Sequence, residues 1–442
     1  MPACIMTSET SPELVWPELL APAGNLEKLK TAIRYGADAV YAAGPQFGLR
    51  GGSDNLTDFE LQEALRFAHQ HHAKLYITLN AFLHDQELEQ LPEYVQLLQE
   101  LNVDGVIVSD LGVITTVQEH SSIPVHLSTQ ASCLTASGAR LWQSLGVDRI
   151  VLGREVSIQE ARRIRSEAGV EVELFIHGAM CMAFSGNCTI SNYTAGRDSN
   201  RGGCIQSCRF EYQLSRGEDF RDGLEGVATL FSSKDLRGLQ LLPQVVGTAQ
   251  APGIDSLKVE GRMKSPLYVA STTRAYRQAL NGLKRLPPED WARHLGRWSL
   301  ELEKLPHRGY TDGSLNAPAG PESVYPGNRE DQGWKEWEFA GTVLEASPER
   351  GLLIQTQNPI ASGDELELLP FSGETVRLSS EHLELLGGKR VDRINPNRLI
   401  RLPGSFSAEP FNLIRKRSGA RPPLGNRAPT QQALAPPEAT LP

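Results

Sequence analysis

The stretch Glu18–Gly44, ELLAPAGNLEKLKTAIRYGADAVYAAG, indicates the architecture, because two short apolar runs flank one amphipathic segment. Leu26, Leu29 and Ile33 recur at the spacing that places them on one face of a helix. The flanking runs are almost continuously hydrophobic, as expected for parallel strands that are covered on both faces. The stretch therefore predicts a strand–helix–strand unit in a parallel sheet.

The same alternation continues to about residue 285. Eight apolar strand candidates occur, and they are ELLAPAG from Glu18, DAVYAAG from Asp38, KLYITLN from Lys74, DGVIVSD from Asp104, PVHLSTQ from Pro124, DRIVLGRE from Asp148, VELFIHG from Val172 and SLKVEGR from Ser256. Eight strands, each followed by a helix, predict an α/β fold with a closed (β/α)8 TIM-like barrel over residues 18–285. An open doubly wound sheet is the alternative, although no glycine-rich dinucleotide fingerprint follows the first strand.

Two interruptions of this rhythm define the other predicted parts of the chain. A Gly-, Ser-, Asn- and Cys-rich insertion follows the seventh strand over 178–228, and its end, EYQLS and ATLFSS, predicts a hairpin outside the barrel. A Pro-, Gly- and charge-rich linker is predicted over 286–335, and a small all-β barrel domain over 336–417. The predicted ends are an N-terminal tail, 1–17, and a disordered tail, 418–442.

The charge balance of the chain is uneven. The net charge is −9, which argues against a protein that coats nucleic acid generally. The segment from Lys389 to Arg427 nevertheless holds ten Lys and Arg against Asp392 and Glu409. This segment is either a solvated tail or a surface that contacts phosphates.

Nothing in the sequence indicates export or membrane insertion. The first residues have neither a basic start nor a long apolar run, so no signal peptide is expected. No apolar stretch reaches the roughly 18 residues of a membrane span. We therefore expect a cytoplasmic protein in a reducing compartment, and the sequence defines no oligomeric state.

Four of the six cysteines, Cys181, Cys188, Cys204 and Cys208, fall inside the insertion with the spacing C-x6-C-x15-C-x3-C. In a reducing compartment such clusters are typical of metal ligands, and four thiolates are the usual ligands of an iron–sulfur cluster. Structural zinc is an alternative, but it usually uses paired C-x2-4-C knuckles, which only the second pair approaches. Separately buried cysteines and disulfides are the remaining alternatives.

Polar residues at the predicted strand ends form the second candidate group, because catalytic residues of such barrels lie at the carboxyl ends of the strands. The candidate catalytic residues are His177, Glu260, Asn80 and Gln130. The candidate substrate-binding residues are Arg154, Arg197, Arg262 and Lys264. These cations suit a small anionic substrate, since guanidinium groups bind carboxylates in a bidentate manner. A structural salt bridge or hydrogen bond is the alternative for each residue.

Several stretches resemble the peptidase family U32. They are LLAPAGNLEKLKTAIRYGADAVYAAG, HLSTQAS, ELFIHGAMCMAFSGNCTIS, RDSNRGGCIQSCR, SSKDL and KVEGRMKS. Despite the family name, the resemblance implies hydroxylases that are oxygen-independent or prephenate-dependent and that carry a 4Fe–4S cluster on Cys181, Cys188, Cys204 and Cys208. Some members act on ubiquinone precursors, one acts on ribosomal RNA, and one converts the wobble uridine of tRNA to 5-hydroxyuridine.

The length and the β-rich end are most similar to the tRNA-modifying members. The expected function is therefore hydroxylation of tRNA, with prephenate as the oxygen source. A collagenase-like peptidase is one alternative, although no Ser–His–Asp order or HExxH motif is found. A hydroxylase of a small aromatic ubiquinone precursor is the other, and the extra domain argues against it.

Overall fold

The barrel is closed, as the sequence predicts. The computed structural model of this chain describes residues 14–49, 54–210, 212–214, 226–228, 231–320 and 336–418. The barrel strands are β1 (Glu18–Pro22), β2 (Ala39–Ala42), β3 (Lys74–Leu79), β4 (Gly105–Val108), β5 (Val125–Leu127), β6 (Arg149–Val151), β7 (Glu171–Ala179) and β8 (Ser256–Val259). All neighbours pair in parallel, and β8 pairs with both β7 and β1, which closes the ring.

Successive side chains of a strand alternate between the barrel interior and the helix layer. On β1, Leu19 packs with the helices in the large outer core, whereas Leu20 belongs to the interior cluster with Tyr41, Tyr76 and Ile107. All of these side chains are buried. The near-continuous hydrophobicity of the strands therefore reflects two separate layers of packing.

The outer layer is helical. Its main helices are α1 (Leu26–Arg34), α2 (Asp58–Gln70), α3 (Leu91–Glu100), α4 (Leu111–His120), α5 (Ala136–Ser144), α6 (Ile158–Ala168) and α7 (Pro266–Arg285). The capping boxes expected at Thr57 and Ser157 are present at the starts of α2 and α6. Short helices occur at Asp85–Leu88, Ile190–Ala195 and Leu242–Val245. None of the helices in the described part of the chain is both long and apolar enough to cross a membrane.

The insertion after β7 has secondary structure of its own. The predicted hairpin is present, since Tyr212–Leu214 pairs antiparallel with Gly226–Ala228. A further strand, Asp235–Arg237, pairs antiparallel with the end of β7 and in parallel with Tyr310–Thr311. This strand was not predicted, because Asp235–Arg237 has one apolar residue between two charged ones and therefore no apolar run.

The two segments predicted to lack structure differ from that expectation where they are described. Leu14–Val15, in the predicted tail, pairs antiparallel with Gly247–Thr248. Within the predicted linker 286–335, Pro288–Glu303 forms a 16-residue helix, α8. Pro288 occupies its first turn, where proline needs no N–H partner, and Trp291, Trp298 and Leu302 bury one face. The high proline content of this segment thus marks a helix start rather than a linker. Residues 321–335 and 419–442 lie outside the described residues.

The C-terminal domain is an antiparallel sheet, in agreement with the predicted all-β class. Its eight strands are Trp337–Ser347, Gly351–Thr356, Leu366–Leu369, Val376–Leu378, Leu383–Leu385, Arg390–Val391, Leu399–Leu402 and Leu413–Arg417. Ile360–Ala361 and Arg393–Ile394 form a separate pair. No ladder joins the two edge strands of the large sheet among the described residues, so backbone pairing does not close it into a barrel there.

Tyr35 connects the two domains. Its buried hydroxyl donates to the Leu369 carbonyl at 2.7 Å and accepts from the Leu413 N–H at 2.9 Å. Tyr35 follows the last residue of α1, so this contact lies at the barrel end opposite the carboxyl ends of the strands. The C-terminal domain is therefore fixed at a distance from the barrel mouth.

Candidate functional site

A cavity of about 320 Å³ opens at the carboxyl ends of the barrel strands. The strand-end residues Asn80, Gln130, Arg154, Glu260, Arg262 and Lys264 line it, together with the four insertion cysteines Cys181, Cys188, Cys204 and Cys208. Ten of the twelve predicted site residues are thus brought together. His177 and Arg197 do not line the cavity.

Asparagine side chains hold the cysteine-bearing loop against the barrel. The Asn187 amide donates to the Gln130 carbonyl at 3.3 Å and to Ser132 Oγ at 3.2 Å. Asn200 accepts from the Cys188 N–H at 3.3 Å and donates to the Cys188 carbonyl at 3.0 Å. Backbone N–H and C=O groups in a loop lack the partners that a helix or sheet would provide, and here side-chain amides take that place. They fix one cysteine directly at the cavity wall.

None of the four insertion cysteines forms a disulfide among the described residues. Burial raises the pKa of the Cys208 thiol, the Arg209 guanidinium opposes this, and Cys181 and Cys204 raise it further. The Ile190 N–H lies 3.4 Å from Cys188 Sγ. Neighbouring thiols with a cation and an N–H group beside them form a donor set that a thiophilic metal centre fits.

The arrangement does not form a closed site for a single ion. Among the described residues, no three His, Cys, Asp or Glu side chains converge closely enough to bind one metal ion. A tetrahedral zinc with bonds of about 2.3 Å would require tightly packed sulfurs. A 4Fe–4S cluster is larger than one ion and also takes four thiolates, and four cysteines line this cavity.

His177 departs from its predicted position at the barrel mouth. In the register between β7 and β8, Lys258 faces Phe175 and Val259 faces His177, so β7 carries one extra residue at this point. Such a bulge interrupts the alternation of side chains. Phe175 lines the cavity, whereas the His177 ring packs near Tyr268, Tyr276 and Tyr310 with centroid distances of 5.5–6.0 Å. The bulge therefore directs His177 away from the cavity, which argues against the predicted catalytic role.

Arg197 is also placed apart from the other predicted residues. It follows Gly196, which ends the short helix Ile190–Ala195 with a φ of 60°. Its side chain is exposed and outside the cavity. The segment around Arg197, which was predicted to bind an anionic substrate, forms an exposed turn of the insertion.

Glu260 and Arg154 lie next to each other in the cavity wall. Glu260 Oε2 accepts from the Tyr41 hydroxyl at 3.3 Å and lies 3.9 Å from an Arg154 nitrogen. The Arg154 guanidinium stacks on the Phe175 ring at 3.8 Å. Arg262 is buried and donates to Thr78 Oγ1 at 3.1 Å. These residues are positioned by contacts within the barrel before any ligand binds.

Two lining cations were not found from the sequence, Arg209 and Lys258. Arg209 follows Cys208 in the insertion, and burial, followed by the neighbouring Arg308, lowers its pKa. Lys258 lies within β8 and donates to Glu173 at 2.7 Å. The strand-end rule could not identify either residue, since one is in a loop and the other is inside a strand.

The electrostatic character of the cavity is strongly one-sided. Among the described residues, its charged lining consists of the cations Arg154, Arg209, Lys258, Arg262 and Lys264 and one carboxylate, Glu260. Of these cations, Lys258 is already paired with the buried Glu173. Burial lowers the pKa of Lys264, whose charge is therefore poorly solvated. An anionic ligand would relieve this excess of positive charge.

A closed (β/α)8 barrel with a polar, cationic cavity at the carboxyl ends of its strands has the form of a barrel enzyme. The chain belongs to Peptidase family U32, whose model matches residues 24–324, and the family's C-terminal domain matches residues 335–415.

Three relatives show the range of activities that similar chains carry. The tRNA hydroxylation protein P1 of Bacillus subtilis (strain 168) is 37% identical over 410 residues, 90% of this chain and 94% of its own. The tRNA hydroxylation protein P of Escherichia coli (strain K12) is 31% identical, over 85% of this chain and 90% of its own. The 23S rRNA 5-hydroxycytidine C2501 synthase of the same organism is 33% identical over 86% of this chain but 56% of its own.

Proposed function

We propose that this protein hydroxylates the wobble uridine of tRNA to 5-hydroxyuridine, with a 4Fe–4S cluster as cofactor and prephenate as the source of oxygen. The observation that supports this most strongly is that four cysteines outside any disulfide line one cavity together with several cations. Two relatives that cover nearly the whole chain are named for tRNA hydroxylation. A cytoplasmic location is part of the proposal, since thiols stay reduced there.

Cys181, Cys188, Cys204 and Cys208 would hold the cluster, and the cluster would supply electron transfer. Arg209 would offset thiolate charge beside Cys208, because its guanidinium lowers the pKa of that thiol and so opposes the effect of burial. The Ile190 N–H would do the same beside Cys188. Hydrogen bonds and charges near ligating sulfurs tune the reduction potential of a metal centre, so these two groups would tune that of the cluster.

The cationic residues of the cavity would bind prephenate, which is a dicarboxylate. Arg154, Arg262 and Lys264 remain from the predicted set, and Arg209 takes the place of the exposed Arg197. Two carboxylates would neutralise much of the excess charge that surrounds the carboxylate Glu260. Glu260 would then keep Arg154 oriented in the cavity wall, since the two lie 3.9 Å apart.

The target uridine would enter the cavity flipped out of its stack, because an enzyme cannot reach an atom of a stacked base. The C-terminal domain would hold another part of the RNA. Lys389, Arg390, Arg393 and Arg398 are exposed there, whereas Arg415, from the same basic segment, is buried in ion pairs. The C-terminal domain docks at Tyr35, away from the barrel mouth. A substrate that contacts both the domain and the cavity would therefore be much larger than one nucleotide.

The proposal is tested by tRNA nucleoside analysis in a strain that lacks this gene. Loss of 5-hydroxyuridine derivatives, restored by the wild-type gene but not by Cys204→Ser, is the expected result. Cys133→Ala is the matched control, since Cys133 is buried outside the cavity, and it should restore the modification. Unchanged tRNA nucleosides in the deletion strain would contradict the proposal.

The same strain and the purified protein separate the two other candidate activities. Cleavage of peptides that does not depend on the four cysteines would favour a peptidase. Loss of ubiquinone with intact tRNA nucleosides would favour a hydroxylase of small aromatic compounds.

A further inference from the structure

Gln130 is a buried side chain whose hydrogen-bonding groups are unused. It lines the cavity and is only 5% exposed, yet neither Oε1 nor Nε2 has a hydrogen-bond partner among the described residues. The hydroxyl of its neighbour Thr129, 9% exposed, is in the same condition. Buried polar groups are almost always paired, because an unpaired one loses its hydration without compensation. Three such atoms side by side in a cavity wall indicate a ligand that pairs with them.

The backbone keeps this amide facing the cavity. Residues Thr129–Ala131 form a 3-10 turn, which ends at Ser132 in the left-handed region with a φ of 53°. The cysteine loop grips the turn, since Asn187 donates to both the Gln130 carbonyl and Ser132 Oγ. A Cβ at Gly186 of that loop would be 3.8 Å from Gln130 Cγ. The turn and the cysteine loop therefore position the amide before the ligand binds.

The chemistry of the amide limits the ligand. A primary amide presents a donor and an acceptor side by side, so its full complement is a group that offers an acceptor and a donor at the same spacing. A carboxylate has no donor and would leave Oε1 unpaired, which argues against an anionic co-substrate at this position. The imide edge of uracil, N3–H beside a carbonyl oxygen, satisfies both atoms.

We infer that Gln130 pairs with the imide edge of the target uracil and makes the cavity specific for that base. The inference rests on the proposed function and adds the residue that recognises the base. Pairing through N3–H and an adjacent carbonyl leaves the C5–C6 edge of the ring unobstructed. Thr129 would supply one further hydrogen bond to the base. Gln130 is thus assigned to substrate specificity rather than to the catalytic role expected from its strand-end position.

The test measures binding of two anticodon stem–loop RNAs to the full-length, anaerobically purified protein. One RNA carries uridine at the wobble position, and the other carries 3-methyluridine, which lacks N3–H. The wild-type protein should prefer uridine roughly tenfold, within the range of one bidentate base contact. Gln130→Leu should reduce this preference to about one, while Gln143→Leu, an exposed glutamine on α5, should retain it.

A second variant covers the case in which the leucine substitution impairs folding, which a thermal melt would show. Gln130→Met has a similar length but neither the donor nor the acceptor, so it should also reduce the preference for the uridine RNA to about one. Equal binding of both RNAs by the wild-type protein would overturn the inference, and so would a preference that survives in Gln130→Leu. In both cases RNA binding itself would persist, and the proposed function would stand. A wild-type protein that binds neither RNA would overturn both.

Discussion

The His177 imidazole is enclosed by aromatic rings and is 1% exposed. Burial lowers its pKa to about 3, because the charged form loses its hydration. Its Nδ1 lies 3.4 Å from the Tyr276 hydroxyl, and its Nε2 has no partner among the described residues. At neutral pH the ring is therefore an uncharged part of the packing between β7 and α7.

This burial makes the stability of the barrel depend on pH. The folded-state pKa lies below the unfolded value of about 6.5, so the contribution is complete above that pH and declines as the pH falls toward 3. The slope is about 1.4 kcal/mol per pH unit, or about 2 kcal/mol between pH 6.5 and pH 5. Denaturant unfolding at pH 7 and pH 5 should show His177→Phe losing about 2 kcal/mol less than the wild type. The exposed His382→Phe should lose as much as the wild type, and an equal loss in His177→Phe would contradict this account.

Gly178, the next residue, needs to be glycine for two reasons. Its φ is 105°, and a Cβ would lie 2.3 Å from the Glu260 carbonyl oxygen. Gly178→Ala should therefore destabilise the barrel by more than about 2 kcal/mol, since a clash with backbone adds to the conformational cost. Gly196→Ala is the control, because Gly196 has a φ of 60° but open space around it. It should cost about 1 kcal/mol, and equal costs in chemical denaturation would contradict the assigned clash.

The rule that site residues lie at the carboxyl ends of the strands correctly located Asn80, Gln130, Arg154 and Glu260 at the cavity. It failed for His177, because a one-residue bulge reverses the direction of a side chain and leaves no signature in the hydrophobic pattern. Arg209 shows the converse failure. No strand carries it, and only the folding of the insertion brings it to the cavity.

The contact between the two domains depends on a group of buried, charged side chains. Arg415, on Leu413–Arg417, is fully buried, and it pairs with Glu301 of α8 at 2.9 Å and with Glu367 of Leu366–Leu369. Lys304, which follows the last residue of α8, reaches Glu367 at 2.9 Å. Removal of one partner from such a group leaves buried charge without compensation.

Arg415→Met should therefore lower the free energy of unfolding by about 3 kcal/mol, as measured by denaturant titration. Arg417→Met is the matched control on the same strand, since the ion pairs of Arg417 with Glu336 and Glu365 are exposed. Water and salt already screen those pairs, and the unfolding midpoint of this variant should stay unchanged. Similar midpoints for the two variants would show that Arg415 does not stabilise the docking.

The strands of the barrel were predictable because each is a compact apolar run between capped helices. The helix α8 was missed because its polar surface and the prolines around it resemble a linker. Its buried face, Trp291, Trp298 and Leu302, follows the helical period and was the available signal. The docking at Tyr35 joins residues more than 300 positions apart, and the pair of Arg415 with Glu301 joins residues 114 positions apart. No local pattern encodes such contacts.

The barrel mouth and the C-terminal domain would have different roles in the proposed function. The mouth combines the cysteine loop, the cationic wall and the Gln130 amide in one cavity. The second domain, held at the opposite end through Tyr35, carries exposed cations that would contact the RNA in the proposed function.

The most direct test of the account is iron and acid-labile sulfide analysis of the full-length protein, purified without oxygen. About four iron and four sulfide per chain are expected for the wild type, and Cys204→Ser should retain far less of both. A wild-type protein that hydroxylates tRNA while it contains stoichiometric zinc, or no metal, would contradict the claim that the four cysteines hold the catalytic cluster.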